Sequence, residues 1–157
     1  MIYNGGNMKF KTRTNSRIMA MMVLYNYDIN KTLEIENISD LIAKNNALEG
    51  TLEIENLDYD KEYLDKLVKG AIEKLDYLDY VISLSTENYT LEALSFVDRS
   101  ILRVGAYEMI YLKTPKEIVI NEMINISKVY SHIEGFNSPK FDNAILDKIA
   151  KGNFKDE

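Results

Sequence analysis

Four basic side chains stand close together near the start of the chain, Lys9, Lys11, Arg13 and Arg17, and residues 1–27 contain no acid. That stretch carries +4 and the other 130 residues carry −10, within a net charge of −6. A sequence-independent nucleic-acid binder spreads its basic residues over a whole face. A basic arm on an acidic body instead suits a small anionic contact at one end and a different partner, such as a protein, on the remainder. The carboxylates offer less. Asp58, Asp60 and Glu62 alternate as in a calcium loop, but Tyr63 takes the sixth position, where glycine is required, and Lys69 the twelfth, where glutamate is required. The single histidine, His132, has Val129 three residues before it, so the Glu-x-x-His pairs of a di-iron bundle are missing. No glycine pattern cradles phosphate. Asp98 and Glu108 are accounted for as a helix cap and a helix partner, and Glu122 as the partner of a lysine or a cap. No catalytic residue, metal or cofactor is therefore expected.

The elements that must hold these residues are helical. The stretch from Phe96 to Leu112 is apolar nearly all round its axis, apart from a strip at Arg99 and Arg103, and such a helix must be surrounded. Ser95 caps its start, with Asp98 at N3 completing a capping box, and Gly105 permits close approach of a neighbour. Thr14, Asn15 and Ser16 are acceptable caps for a first helix running from about Asn15 to Asp28. Asp58 to Lys74 is the cleanest amphipathic segment, and its periodicity continues to about Ser85. Thr90 to Leu94 reads as a short helical turn. Thr114-Pro115-Lys116-Glu117 predicts a helix start with threonine at the cap and proline at N1, running to about Tyr130. Ser131 to Asn137 is a loop, and Ser138-Pro139 opens a last helix ended by Gly152. Ile38 to Asn45 suits a short helix and residues 45–56 an irregular connection.

The expected fold is all-α, a compact domain of about seven helices in two small bundles around a central apolar helix. Residues 1–12 form a mobile basic tail, 13–152 one domain and 153–157 a second tail. The chain has no cysteine, so disulfides and thiolate metal sites are excluded. No apolar run approaches the roughly 18 residues of a membrane span, and residues 1–15 lack a signal-peptide core, so a cytoplasmic protein is expected.

Three segments together resemble one family, the bacterial transcription antitermination protein NusB. Asn88 to Met109, NYTLEALSFVDRSILRVGAYEM, is similar to that family's Asn-Trp-Ser-Leu, Val-Asp-Arg-Ala-Ile-Leu-Arg and Ala-Tyr-Glu-Leu signature. Pro115 to Glu122 matches its proline followed by Val-Ile-Asn-Glu, and Ser138 to Lys148 resembles Ser-Pro-Lys-Phe-Val-Asn-Gly-Val-Leu-Asp-Lys. Leu24-Tyr25 and Leu67 to Gly70 add support in the right order, so the resemblance covers roughly residues 13 to 150.

The resemblance implies a non-enzymatic factor, monomeric or homodimeric in isolation. Such a factor pairs with NusE, a small-subunit ribosomal protein, and binds single-stranded boxA-like RNA in nascent rRNA transcripts on the transcription elongation complex. It places RNA contacts at Lys9, Lys11, Arg13 and Arg17, with Tyr130, Lys140 and Phe141 beside them, and the partner surface at Tyr25, Glu92 and Asp98. If four cations each neutralise one phosphate, log K falls against log salt with a slope of about −2.8, or roughly fiftyfold from about 50 to 200 mM. Base stacking on Phe141 or Tyr130 adds about 1 to 3 kcal/mol. Spacing alone also suits Phe141 as core packing and Arg17 as an ordinary surface arginine. Thr14 and Asn15 stand where the family is usually basic, which predicts weaker RNA binding. Asp142 and Ala144 replace a valine and a glycine, adding negative charge near the RNA face, and the Ser131 to Asn137 loop is a few residues longer than usual. The alternative reading is a helical protein-interaction module of the same fold that binds no RNA. Related domains occur fused to rRNA methyltransferases, but this chain leaves no room for a cofactor-binding domain, which favours the stand-alone factor.

Overall fold

A computed structural model describes residues 8–30, 58–87 and 89–155, with side chains in the first helix from Thr12 onward. The helix expected over Ile38 to Asn45 and the connection after it lie outside the described residues. The elements are α1 (Met8–Asn30), α2 (Lys61–Glu73), α3 (Leu75–Ser85), a 3-10 turn (Leu91–Ala93), α4 (Phe96–Ile110), α5 (Lys116–Tyr130) and α6 (Ser138–Lys151). Among the described residues, helix α4 touches each of the five other α-helices; α1 and α2 pack together on one side of it, and α3, α5 and α6 complete the other. The fold is all-α, with one continuous apolar core shared by both groups.

Helix α4 holds the centre because almost nothing on it needs water. Ile101, Leu102, Val104 and Ala106 are wholly buried. At Gly105 a Cβ would lie 2.9 Å from Leu146 Cδ2 and 3.2 Å from Met123 Cγ, so the missing side chain lets α5 and α6 close on the axis. The expected N-cap at Ser95 is present, with Asp98 N donating to Ser95 Oγ at 3.0 Å; the Asp98 carboxylate accepts from the Ser95 hydroxyl at 2.8 Å, where the capping box would have it take the Ser95 amide.

Several expectations shift. Helix α1 begins at Met8 rather than near Asn15, so residues 8–12 of the expected tail are helical. Asn15 and Ser16 are not caps; both are buried, and their side chains serve the start of α2. Asn15 Nδ2 donates to Asp58 O at 2.8 Å, Ser16 Oγ donates to Asp60 O at 2.8 Å, and Asp60 N donates back to Ser16 Oγ at 2.9 Å. The chain entering α2 supplies partners for Asn15 Nδ2 and Ser16 Oγ, while Asn15 Oδ1 is buried without one. At the start of α5 the cap is Pro115 rather than Thr114. The preceding turn passes through Lys113 at φ 57°, in the left-handed region. Residues 153–155 do not form a free tail. Phe154 packs on the core and Tyr77 Oη donates to Lys155 O at 2.9 Å.

Candidate nucleic-acid interface

Helix α1 carries all four expected cations, but it uses them differently. Lys9 and Lys11 lie in its first turn and the turn after it. Arg13 is half-buried, its guanidinium carbon 4.7 Å from the centre of the Tyr63 ring, and its Nε is buried without a hydrogen-bond partner. Arg17, two turns into the described helix, points inward and is only 3% exposed.

Around Arg17 three helices meet. Its Nε donates to Glu108 Oε2 at 2.8 Å and its Nη2 to Glu108 Oε1 at 2.8 Å, a two-pronged pair with α4. Its Nη1 reaches Glu122 Oε1 on α5 at 3.2 Å, where Thr14 Oγ1 also donates at 2.9 Å. Tyr63 on α2 donates its hydroxyl to Glu108 Oε1. Burial opposes the charge on Arg17, but the hydrogen bonds and charge of Glu108, then Tyr63 and Glu122, outweigh it and hold the guanidinium above its ordinary range. Burial, then the hydrogen bond to Glu108 and that carboxylate's charge, push the Tyr63 hydroxyl up to about 12. Every donor of this cluster that faces Glu108 is therefore protonated at neutral pH. Arg17 ties α1, α4 and α5 together and has no face left for a phosphate, which corrects its expected place among the RNA contacts.

The aromatic end is built on α6 and the loop before it. Phe141 is half-buried: it packs on the core, lies edge-on to Tyr89 with ring centres 5.3 Å apart, and meets Phe136 at 5.3 Å. Tyr89 is 47% exposed. The loop is a tight turn closed by pairing of Ile133 with Phe136, with Gly135 at φ 76°, where a side chain would be strained. Lys140 is exposed, and its amide donates to Asn137 Oδ1 at 3.2 Å, capping α6. Tyr130 is half-buried, its hydroxyl enclosed without a partner and raised in pKa by burial. His132 is exposed, with its ring nitrogen 2.8 Å from Val129 O. Helix α5 runs between the two ends. Glu122 receives Thr14 and Arg17, and Ser127, about 7 Å further along the axis, donates to Asp142 on α6.

On the expected partner surface, Tyr25 meets Phe96 edge-on at 6.3 Å, and Arg99 spans the same ring at 4.9 Å. Glu92 is exposed in the 3-10 turn, which Arg99 Nη2 braces by donating to Glu92 O at 2.8 Å. Asp98 does not belong to that surface. It is 1% exposed and accepts from the hydroxyls of Ser95, Ser131 and Ser138. Asp142 likewise adds no charge to the RNA face, because it is wholly buried.

The hydrogen-bonding role of Tyr63, and the cluster of Tyr89 and Phe136 with Phe141, have no signal in the local sequence. Paired glutamates at 108 and 122 were visible, but no spacing rule links them to an arginine some ninety residues earlier. Among the described residues no group of three or more His, Asp or Glu side chains is placed to hold a metal, and no helix is long and apolar enough to cross a membrane.

Among the described residues, an axial helix is enclosed by five others, with lysines in the first turns of α1 and an aromatic corner around the start of α6, and the domain is all-α. Its relatives give it a family. The NusB family model matches residues 14–151, and the chain belongs to that family. It is 34% identical over 140 residues to the transcription antitermination protein NusB of Macrococcus caseolyticus, covering 89% of this chain and 97% of the relative. A structure of T. maritima NusB superposes with a TM-score of 0.70 at 34% identity, covering 88% of this chain and 90% of the other. A crystal structure of the antitermination factors NusB and NusE in complex with dsRNA gives a TM-score of 0.68 at 25% identity, covering 93% and 99%.

Proposed function

We propose that this protein is a non-enzymatic, cytoplasmic antitermination factor that pairs with the ribosomal protein NusE and captures single-stranded boxA-like RNA in nascent rRNA transcripts, acting on the transcription elongation complex. The observation that carries the reading is the near-complete correspondence with a NusB chain found together with NusE and RNA. In this reading Lys9, Lys11 and Arg13 hold phosphates, Phe141 with Tyr130 offers stacking faces, and Lys140 adds a charge beside them. Tyr25 and Glu92 meet NusE. Arg17 and Asp98 support these surfaces from inside.

Removing Arg17 from the phosphate contacts changes the expected salt dependence. Three cations give a slope of about −2.1, or roughly an eighteenfold loss from about 50 to 200 mM salt. RNA binding measured for the chain alone, with NusE, and with Lys9, Lys11 and Arg13 changed to glutamine tests this. Affinity should rise with NusE present, and the triple variant should lose most of its salt dependence. A triple variant that binds as tightly as the parent overturns the arm as the site. A NusE pair that binds no RNA favours the protein-interaction module instead.

A further inference from the structure

At the junction of α4, α5 and α6 two carboxyl groups are buried together. Asp98 is 1% exposed and Asp142 0%. Asp98 Oδ1 accepts from Ser131 Oγ at 2.7 Å, and its Oδ2 accepts from Ser95 Oγ at 2.8 Å and Ser138 Oγ at 3.3 Å. Asp142 Oδ2 accepts from Ser127 Oγ at 2.9 Å, while its Oδ1, equally enclosed, receives no donor. No ion pair of the described residues includes either acid.

Two ionised carboxylates without a cation are untenable in such a place. One proton resolves both the repulsion and the orphaned oxygen, if Asp142 Oδ1 carries it and donates to Asp98. The donor count places the proton: Asp98 accepts from three hydroxyls, whereas Asp142 accepts from one and keeps an enclosed oxygen without a donor. Burial, then the hydrogen bond to Asp98 and its charge, push Asp142 up to about 9, against the opposing donation from Ser127. Other charges on the surrounding elements are engaged elsewhere or face water. On α4, Arg103 pairs with Asp28 and Asp79, and Arg99 binds the carbonyls of Leu94 and Glu92. Lys128 on α5, His132 in the loop and Lys140 on α6 are exposed, and Lys148 pairs with Glu87.

We propose that Asp142 is kept as a neutral acid whose proton is shared with Asp98, and that this proton is the clasp seating the first turn of α6, and with it Phe141, on α4 and α5. Asp142 is thus a positioning residue. The clasp does not depend on the RNA reading; its effect on RNA affinity does.

Folding then takes up a proton. The unfolded chain ionises Asp142 above its ordinary value of 3.8, whereas the folded chain keeps it neutral up to about 9. Between those values each rise of one pH unit costs the parent about tenfold in its folding constant relative to a chain without the acid. The test is urea unfolding of the full chain and of Asp142→Asn from pH 5 to 9. Asparagine retains the shape and can donate its amide to Asp98. The ratio of folding constants, variant over parent, should climb about tenfold per pH unit and level off above about 9. A flat ratio overturns the shared proton; should Asp142→Asn fail to fold, Asp142→Val gives the same comparison. Hydrogen exchange of the amides of residues 140–142 should quicken from pH 7 to 9, after correction for intrinsic rates, in the parent and not in Asp142→Asn. Equal protection in both overturns the seating of α6. RNA affinity of the NusE pair over the same range should fall for the parent alone. Absence of RNA binding by either protein at every pH would count against the RNA reading, while unfolding and exchange still decide the clasp.

Discussion

Around Arg17 the chain buries a cation and surrounds it with anions; around Asp98 it buries an anion and surrounds it with hydroxyls and a second acid. Both clusters sit against α4, and both tie it to its neighbours. The first is neutralised by geometry, because the planar guanidinium meets Glu108 with two parallel bonds while Glu122 and Tyr63 occupy what remains. The second is brought from two negative charges to one by a proton. The first cluster should therefore ignore pH across the neutral range, and the second should not. The comparison also separates scaffold from surface at each end. Arg17 holds the helix on which Arg13 is displayed, and Asp142 holds the helix on which Phe141 is displayed.

The largest effect should come from Arg17→Met, which strands Glu108, wholly buried, without its cation. Loss of one partner of such a pair costs about 3 to 5 kcal/mol, and urea unfolding will measure it. Adding Glu108→Leu should recover much of the loss, and a single variant costing under about 1 kcal/mol would deny the cluster its role. Tyr63→Phe comes next, at about 1.5 to 3 kcal/mol for a hydrogen bond to a charged acceptor. Because the folded Tyr63 hydroxyl is raised from 10.0 to about 12, its contribution is complete below pH 10 and fades from there towards 12. Loss of the difference between parent and variant already at pH 8 would contradict that order. Gly105→Ala should lose about 1 kcal/mol, as crowding against Leu146 and Met123 outweighs the gain in helix propensity. Thermal unfolding should show the same loss at pH 6 and pH 8, since the strain is steric. The smallest change in stability is expected for Arg13→Gln, close to zero, with the RNA salt slope reduced by about 0.7. A large loss of stability there would make Arg13 a second scaffold arginine.

How much was legible follows from the range of each interaction. The helix cap at Ser95 and its contact with Asp98 were readable because the two residues lie one turn apart. The axial character of α4 was readable because hydrophobic period is local. Asp98 was then assigned to a partner surface, although the same carboxylate also gathers Ser131 and Ser138 from beyond α5. Thr14, Asn15 and Ser16 have the composition of a helix start, yet α1 runs through them from Met8, where Asp58, Asp60 and Glu122 take the hydrogen bonds that Asn15 Nδ2, Ser16 Oγ and Thr14 Oγ1 donate. Local preference was overruled by partners that are distant in the chain.

The sequence by itself determined an all-helical chain with a buried axis and a basic beginning. Those features depend on composition and on spacings of three or four residues, which one turn of helix already expresses. Only the tertiary structure decided which charges face water. Arg13 and Arg17 differ by one turn and are chemically identical; the glutamates waiting on α4 and α5 send the second inward, because a buried cation must have anions beside it. Asp142 looked like one more surface acid until Asp98 and Ser127 met it across two helices, where low dielectric makes a proton cheaper than a second charge.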